Sequence, residues 1–116
     1  MIDTAIEATG RFVESADVDN ALATVTVAAI PSIRHFIGWI TADYSAAPAA
    51  GFKLLQVKYG TTVVKNIRWN PALEMPLRLP LKAPPHGEVG QQVSVELQAS
   101  GTPAVTGRVG VIVSDV

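Results

Sequence analysis

Hydrophobic and polar residues alternate with a period of two through most of the chain, and turn-forming residues interrupt the alternation at short intervals. The alternation is clearest in "LATVTVAA" (22–29), "QQVSVELQA" (91–99) and "RVGVIVSDV" (108–116). Successive side chains of a strand point to opposite faces, so this period predicts strands with one buried face. The predicted inward positions are Ala23, Val25, Val27, Ala29, Val93, Val95, Leu97, Val109, Val111 and Val113.

The middle of the chain predicts a more deeply placed strand followed by a hairpin. The run "IRHFIGWITAD" (33–43) has apolar residues in both alternating sets, which is typical of a central strand covered on both faces. Trp39 lies in this run and is therefore predicted to be a core residue. The next two runs, 51–59 and 62–69, predict a hairpin with its turn near Gly60.

The run "MPLRLPLK" (75–82) predicts a strand at the edge of a sheet. Met75 and the leucines fall on one face, and Pro76 and Pro80 fall on the other with Arg78. Proline has no N–H to give to a neighbouring strand, so it is confined to edge strands or to segments that cross between sheets.

Together these patterns predict an all-β fold, an antiparallel β-sandwich of the jelly-roll kind with about seven or eight strands. There is hardly any helical periodicity. The 116 residues suit one hydrophobic core. We expect residues 1–20 to form a polar N-terminal arm or edge strand, and residues 21–116 to form a single β-sandwich domain.

Composition narrows the classes of function. The net charge is −1 and the estimated pI is about 6.0, so no basic surface is expected that would bind nucleic acid. Charged residues make up 16% of the chain and hydrophobic residues 48%, which predicts apolar surface that is covered in a homo-oligomer. No cysteine is present, and no signal-peptide-like or bilayer-length apolar run occurs. We therefore expect synthesis in the cytoplasm and no membrane partner.

The chemically capable residues do not combine into a recognisable motif. His35 and His86 have no further ligand at metal-binding spacing. The segment "DVDN" (17–20) begins like a calcium loop, but Ala21 stands where the next ligand is needed. The carboxylates are scattered singly, and no nucleophile motif accompanies the serines. The prediction is a protein without enzymatic activity, catalytic residues, metal or cofactor.

Two kinds of surface are nevertheless candidates for binding. Exposed aromatic residues with polar neighbours could form a sugar-binding platform on a sandwich domain. The residues predicted for this platform are His35, Tyr44, Arg68 and Trp69. Trp69 is followed by Asn70 and Pro71, where a strand ends, which favours its exposure, although a subunit contact would explain that position equally well.

The second surface is the uncharged connection "SAAPAAG" (45–51). Its proline and glycine predict a turn, and its alanines would allow another surface to approach closely. The residues predicted to contact another protomer or a capsid are Ala47, Pro48, Ala50, Phe52 and Trp69.

Two long stretches carry a family resemblance. They are "TVTVAAIPSIRHFIGWITADYSAAPAAGFKLLQV" (24–57) and "MPLRLPLKAPPHGEVGQQVSVELQASGTPAVTGRVGVIV" (75–113). The elements "YS..P..G" and "PL.LP......G..V.V.L.ASG....G.V.V" resemble small virion proteins of tailed bacteriophages, of the head decoration or accessory structural type. The positions that carry the resemblance are Tyr44, Pro48, Gly51, Pro80, Gly87, Gly90, Gly101 and Gly107. These are turn and packing residues, so no functional residue carries over.

The resemblance implies a non-enzymatic jelly-roll-like subunit that stabilises the head lattice as a capsid decoration protein. Its partners would be further copies of itself, with a trimer favoured, and the major capsid protein; its location would be the virion, with the head surface favoured. We also expect residues 1–20 to contribute to capsid attachment. The alternative is a receptor- or carbohydrate-binding β-sandwich module of a virion tail or fibre. The first function predicts a largely featureless monomer, whereas the second predicts an exposed groove lined by Trp69, Tyr44 or His35.

Overall fold

The computed structural model describes residues 11–46, 51–71, 73–81 and 88–115. Within these ranges it contains nine β-strands and no helix, so no described helix could span a membrane. The strands are β1 (Arg11–Glu14), β2 (Val18–Asp19), β3 (Ala23–Val27), β4 (His35–Tyr44), β5 (Lys53–Tyr59), β6 (Thr62–Trp69), β7 (Leu77–Pro80), β8 (Val93–Leu97) and β9 (Thr106–Asp115).

The strands form two antiparallel sheets that pack face to face. Sheet A has the order β1-β9-β4-β7, with β2 also paired to β9, and sheet B has the order β3-β8-β5-β6. The predicted all-β antiparallel sandwich is therefore confirmed. The described strands exceed the predicted number because residues 11–20 contribute the short strands β1 and β2 to sheet A. Residues 1–10, the rest of the predicted arm or edge strand, lie outside the described ranges.

The core is built from the alternating residues that the sequence pattern assigns to it. Alternate positions of β3, β8 and β9 are buried between the sheets, as predicted, except for Ala29, which lies beyond the end of β3 and is exposed. The hairpin of β5 and β6 is also confirmed, with Gly60 at a positive φ of 60° in its turn. β7 pairs only with β4 among the described strands, so Pro80 does lie on an edge strand, and Pro76 directly precedes that strand.

A β-bulge in β4 changes which residues face the core. The pairing of β4 with β9 shifts register between Ile37 and Trp39, and Gly38 is the extra residue. Before the bulge the odd-numbered positions are buried, and after it the even-numbered positions 40, 42 and 44 are buried. Trp39 consequently lies half-buried on the outer face of sheet A, and its prediction as a core residue was wrong.

The other tryptophan takes the core position instead. Trp69 is 3% exposed and stacks on Tyr44, with ring centroids 5.6 Å apart and an angle of 11° between the planes. The Trp69 indole N–H donates to the carbonyl of Glu74, and the Tyr44 hydroxyl donates to the carbonyl of Gln98 at 2.7 Å. Burial raises the pKa of the Tyr44 phenol, which keeps the hydroxyl protonated as a donor. The predicted exposure of Trp69 and Tyr44 was wrong. Both rings are buried in the core, and the polar atom of each side chain has a hydrogen-bond partner within the fold.

His35 is also a structural residue. Its side chain is 0% exposed, its Nε2–H donates to the carbonyl of Ala28 at 2.9 Å, and its Nδ1 lies 2.7 Å from the Asp115 carboxylate. The ring joins the start of β4 to the end of β9 and to the segment after β3. The predicted role of His35 in a ligand platform was therefore wrong.

Candidate functional site

A groove of about 440 Å³ crosses the outer face of sheet A, on the side away from the core. Its residues come from β1, β9, β4 and β7, and the strand registers align them in rows that run across the strands. Because neighbouring strands lie about 4.8 Å apart, a row across four strands extends over about 14 Å. The volume lies within the range of about 300–1,000 Å³ that is usual for small-molecule clefts.

The first row is apolar and contains two aromatic rings. Phe12 pairs with Ile112, Ile112 pairs with Trp39, and Trp39 pairs with Pro80. Phe12 is 54% exposed, which is unusual for a phenylalanine held on a sheet. The row therefore offers flat apolar surface to solvent.

Gly110 allows the Phe12 ring to lie across the sheet. A Cβ atom at position 110 would be 2.7 Å from Phe12 Cζ and 2.9 Å from Thr41 Oγ1, closer than such atoms approach in proteins. The Phe12 ring thus occupies the space that a side chain on Gly110 would take. A side chain at this position would displace the ring.

Polar and charged residues occupy the rows beside the aromatic one. The second row places Glu14, Thr41 and Arg78 on either side of Gly110. The third row pairs Arg108 with Asp43. The groove is therefore apolar along one side and charged along the other.

Arg108 on β9 lies among three carboxylates, two from the β1 side of the groove and one from β4. Its Nε atom lies 3.4 Å from Glu14 Oε2 and 3.8 Å from Asp17 Oδ1, and its Nη2 atom lies 3.8 Å from Asp43 Oδ2. Asp17, considered in the sequence as part of an incomplete calcium loop, thus faces a guanidinium. Within the described ranges no three His, Cys, Asp or Glu side chains form a potential metal site.

The indole of Trp39 retains an unused donor. Its Nε1 atom is buried and has no hydrogen-bond partner among the described residues. This differs from Trp69, whose N–H is satisfied within the fold.

The residues predicted for binding do not line this groove. His35, Tyr44 and Trp69 are buried in the core, whereas Arg68 and Phe52 are exposed and lie together, with the guanidinium carbon 4.9 Å from the ring centroid. The predicted contact residues Ala47, Pro48 and Ala50 lie outside the described ranges.

Phe52 belongs to a second exposed surface, which we call the loop end. The residues of the loop end are adjacent to strand termini, at the end of the sandwich where β4 ends and β5 begins. The large apolar residues exposed there are Leu22, Phe52, Leu73 and Met75. Leu73 is 85% exposed, so the loop end has apolar surface that the monomer leaves uncovered.

Sequence reasoning missed Phe12, Glu14, Thr41, Asp43, Arg78, Arg108 and Ile112 as groove residues. The available signal was the outward set of each strand, since in sheet A these positions combine aromatic, charged and hydroxyl side chains. These outward residues can be recognised as one groove only when it is known that β1, β9, β4 and β7 are neighbours in the sheet.

No family model and no curated protein matches the chain. Solved structures with a similar outline include the CBM36-1 domain of a multidomain xylanase from the hindgut metagenome of Trinervitermes trinervoides, with a TM-score of 0.49 and 11% identity over 90% of this chain and 94% of that one. A carbohydrate-binding module CBM36 in complex with calcium and xylotriose has a TM-score of 0.43 and 11% identity over 85% of this chain and 76% of that one. The insecticidal delta-endotoxin Cry8Ea1 of Bacillus thuringiensis has a TM-score of 0.41 and 15% identity over 85% of this chain, which spans 18% of the toxin. Likeness at these scores and identities carries neither a ligand nor a site over to this chain.

Proposed function

We propose that the chain is a non-catalytic β-sandwich binding module and that the groove on sheet A takes a short saccharide. The observation that carries the proposal is the groove's mixed lining, in which the aromatic residues Phe12 and Trp39 belong to one row and charged or hydroxyl residues to the next. A groove on a rigid sheet face also holds its lining residues in fixed relative positions.

A saccharide matches this lining by its own chemistry. One face of a pyranose ring consists of C–H groups, which pack on aromatic rings, while its rim carries hydroxyl groups that both donate and accept hydrogen bonds. Thr41 and Asp43 lie one and two rows from the indole of Trp39 on the same strand face, so they can meet the hydroxyl rim of a ring that packs on it.

The carboxylates of the groove suit binding better than catalysis. Glu14 and Asp43 both lie within ion-pair distance of the same guanidinium, that of Arg108. Glycoside hydrolysis needs one protonated carboxyl group beside the scissile bond and a second carboxylate across from it. Glu14 and Asp43 share one arginine, so their surroundings do not make one of them an acid and the other a carboxylate on the opposite side of a bond.

The presence of two tryptophans in the whole chain permits a direct test. The Trp69→Phe variant keeps an aromatic ring in the core and leaves Trp39 as the sole indole. We expect its fluorescence to change on titration with one of a panel of tri- to hexasaccharides of glucose, xylose, galactose and galacturonic acid. The Trp39→Phe variant should report no change with the same saccharide, because its remaining indole is buried away from the groove.

Calorimetry supplies the affinity and the control. We expect Trp39→Ala to weaken binding about tenfold or more, as loss of an aromatic anchor does elsewhere, with the far-UV circular dichroism unchanged. Absence of binding throughout the panel at a Kd of about 1 mM or tighter would contradict the proposal, and so would equal affinity in Trp39→Ala.

A virion subunit is the second candidate function, and the loop end favours it. Leu22, Phe52, Leu73 and Met75 are all exposed at the loop end, and Phe52 directly follows in sequence the connection 45–51, whose alanines predict close contact with another surface. An apolar patch of this kind is typical of surfaces that pack against other subunits. Many weak contacts of one such patch with a repeating lattice would give high occupancy.

This candidate makes its own prediction. We expect Phe52→Lys with Leu73→Lys to lower the mass of the protein in light scattering and to reduce its co-sedimentation with phage capsids that lack it, because two charges would have to be buried at the contact. Replacing Ala47 or Ala50 with a bulky charged residue should act in the same direction. A wild-type monomer that does not sediment with capsids would overturn this function without affecting the groove.

A further inference from the structure

We propose that the saccharide bound in the groove is acidic, and that Arg78 binds the carboxylate of a uronic acid residue. This inference rests on the proposed function of the groove and adds the chemical class of its ligand.

The first support is the different state of the two groove arginines. Arg108 lies within 4.0 Å of carboxylates from Glu14, Asp17 and Asp43. Arg78, in contrast, has no carboxylate at ion-pair distance among the described residues, and its side chain is exposed. The guanidinium of Arg108 is therefore already paired with carboxylates, whereas that of Arg78 is exposed to solvent.

The second support is the position of Arg78. It lies on the edge strand β7, directly across from Thr41, with which it forms the second row. Positions two apart on one strand are separated by about 7 Å, so Arg78 lies one row from the Trp39 indole. A sugar ring that packs on the indole would thus direct a substituent of its rim towards the guanidinium, whose planar donor groups match a carboxylate in a bidentate arrangement.

The third support is the charge distribution along the groove. Glu14 and Asp17 from the β1 side and Asp43 from β4 surround the single guanidinium of Arg108, which leaves an excess of negative charge around this part of β9, away from β7. An anionic substituent would be repelled from that side and attracted to Arg78 at the other. The same asymmetry fixes the direction in which an acidic saccharide lies across the sheet.

The test compares two ligands of equal size. Trigalacturonic acid and trigalactose with the same linkage differ only in the carboxylate at C6 of each ring. By calorimetry at pH 7 and low salt, we expect wild type to bind the acidic trisaccharide about ten- to a hundredfold more tightly, the range of one charge-assisted hydrogen-bonded contact. Arg78→Gln should remove this preference by lowering the affinity for trigalacturonic acid about ten- to a hundredfold more than that for trigalactose. Lys65→Gln, which removes the same charge from the exposed strand β6 of sheet B, should leave the preference unchanged.

The possible results distinguish the role of Arg78 from saccharide binding by the groove. Equal affinity of wild type for the two trisaccharides, or a preference that survives in Arg78→Gln, would overturn the role of Arg78 while the saccharide groove stands. A preference lost equally in Lys65→Gln would assign the effect to overall charge and would also overturn it. If neither trisaccharide nor any member of the panel binds, the proposed function fails first. Arg78→Lys should keep part of the preference, since it keeps the charge but loses the fork of donors.

Discussion

Trp69→Ala is expected to lower the free energy of unfolding by about 3–5 kcal/mol, the usual cost of emptying a core site of a large aromatic side chain. The ring is 3% exposed, it stacks on Tyr44, and its N–H bonds with the carbonyl of Glu74. Its removal leaves a cavity, an unpaired carbonyl group and a tyrosine ring without its partner. A domain of this size has about 5–15 kcal/mol of stability in total, so the loss would be a large part of it.

Trp39→Ala is the matched control, because it removes the same side chain from the outer face of the other sheet. We expect it to cost about 1 kcal/mol, since the indole is half-buried and its N–H has no partner within the described fold. Urea denaturation followed by far-UV circular dichroism measures both values without relying on tryptophan emission. Equal losses, or a greater loss for Trp39→Ala, would show that the core and the groove have been assigned to the wrong tryptophans.

Gly107→Val is expected to destabilise the fold by about 1–3 kcal/mol through overpacking. A Cβ atom at this position would lie 3.0 Å from Tyr44 Cε1 and 3.4 Å from Leu97 Cδ2. The tyrosine ring has no room to retreat because it stacks on Trp69 and its hydroxyl is bonded to Gln98. The direction of the change in stability is informative. Valine favours strands, so at a strand position with free space it would stabilise the fold relative to glycine.

Gly110→Val distinguishes this effect from a general intolerance of β9 to side chains. The nearest atoms there belong to Phe12 and Thr41, and the Phe12 ring is exposed and can turn away. Thermal unfolding should show a smaller loss for Gly110→Val than for Gly107→Val, and calorimetry should show weaker saccharide binding for Gly110→Val alone. A fully stable Gly107→Val protein would contradict the packing described for Tyr44.

The strands could be predicted from sequence because residues close together in the sequence determine them. Val93, Val95 and Leu97 alternate with polar residues, and only a strand with one buried face satisfies that pattern. The edge position of β7 followed from the chemistry of proline in the same local way.

The groove was not predictable because its determinants are not local. Gly38 is one glycine in an apolar run, and nothing in its neighbours indicates that it is the extra residue of a bulge. That single residue decides whether Trp39 faces the core or the solvent. Phe12 lies in a polar segment and meets Gly110 only because β1 pairs with β9, a pairing between residues about a hundred positions apart.

Because Phe12 lines the groove, the affinity for a ligand in the groove would depend on the pairing of β1 with β9. Among the described strands, β1 is a four-residue strand at the edge of sheet A that pairs only with β9, and short edge strands can open locally without unfolding of the domain. Detachment of β1 would remove the Phe12 ring and the Glu14 carboxylate from the groove without removing a strand of the central core. A ligand that contacts the Phe12 ring would therefore stabilise the pairing of β1 with β9.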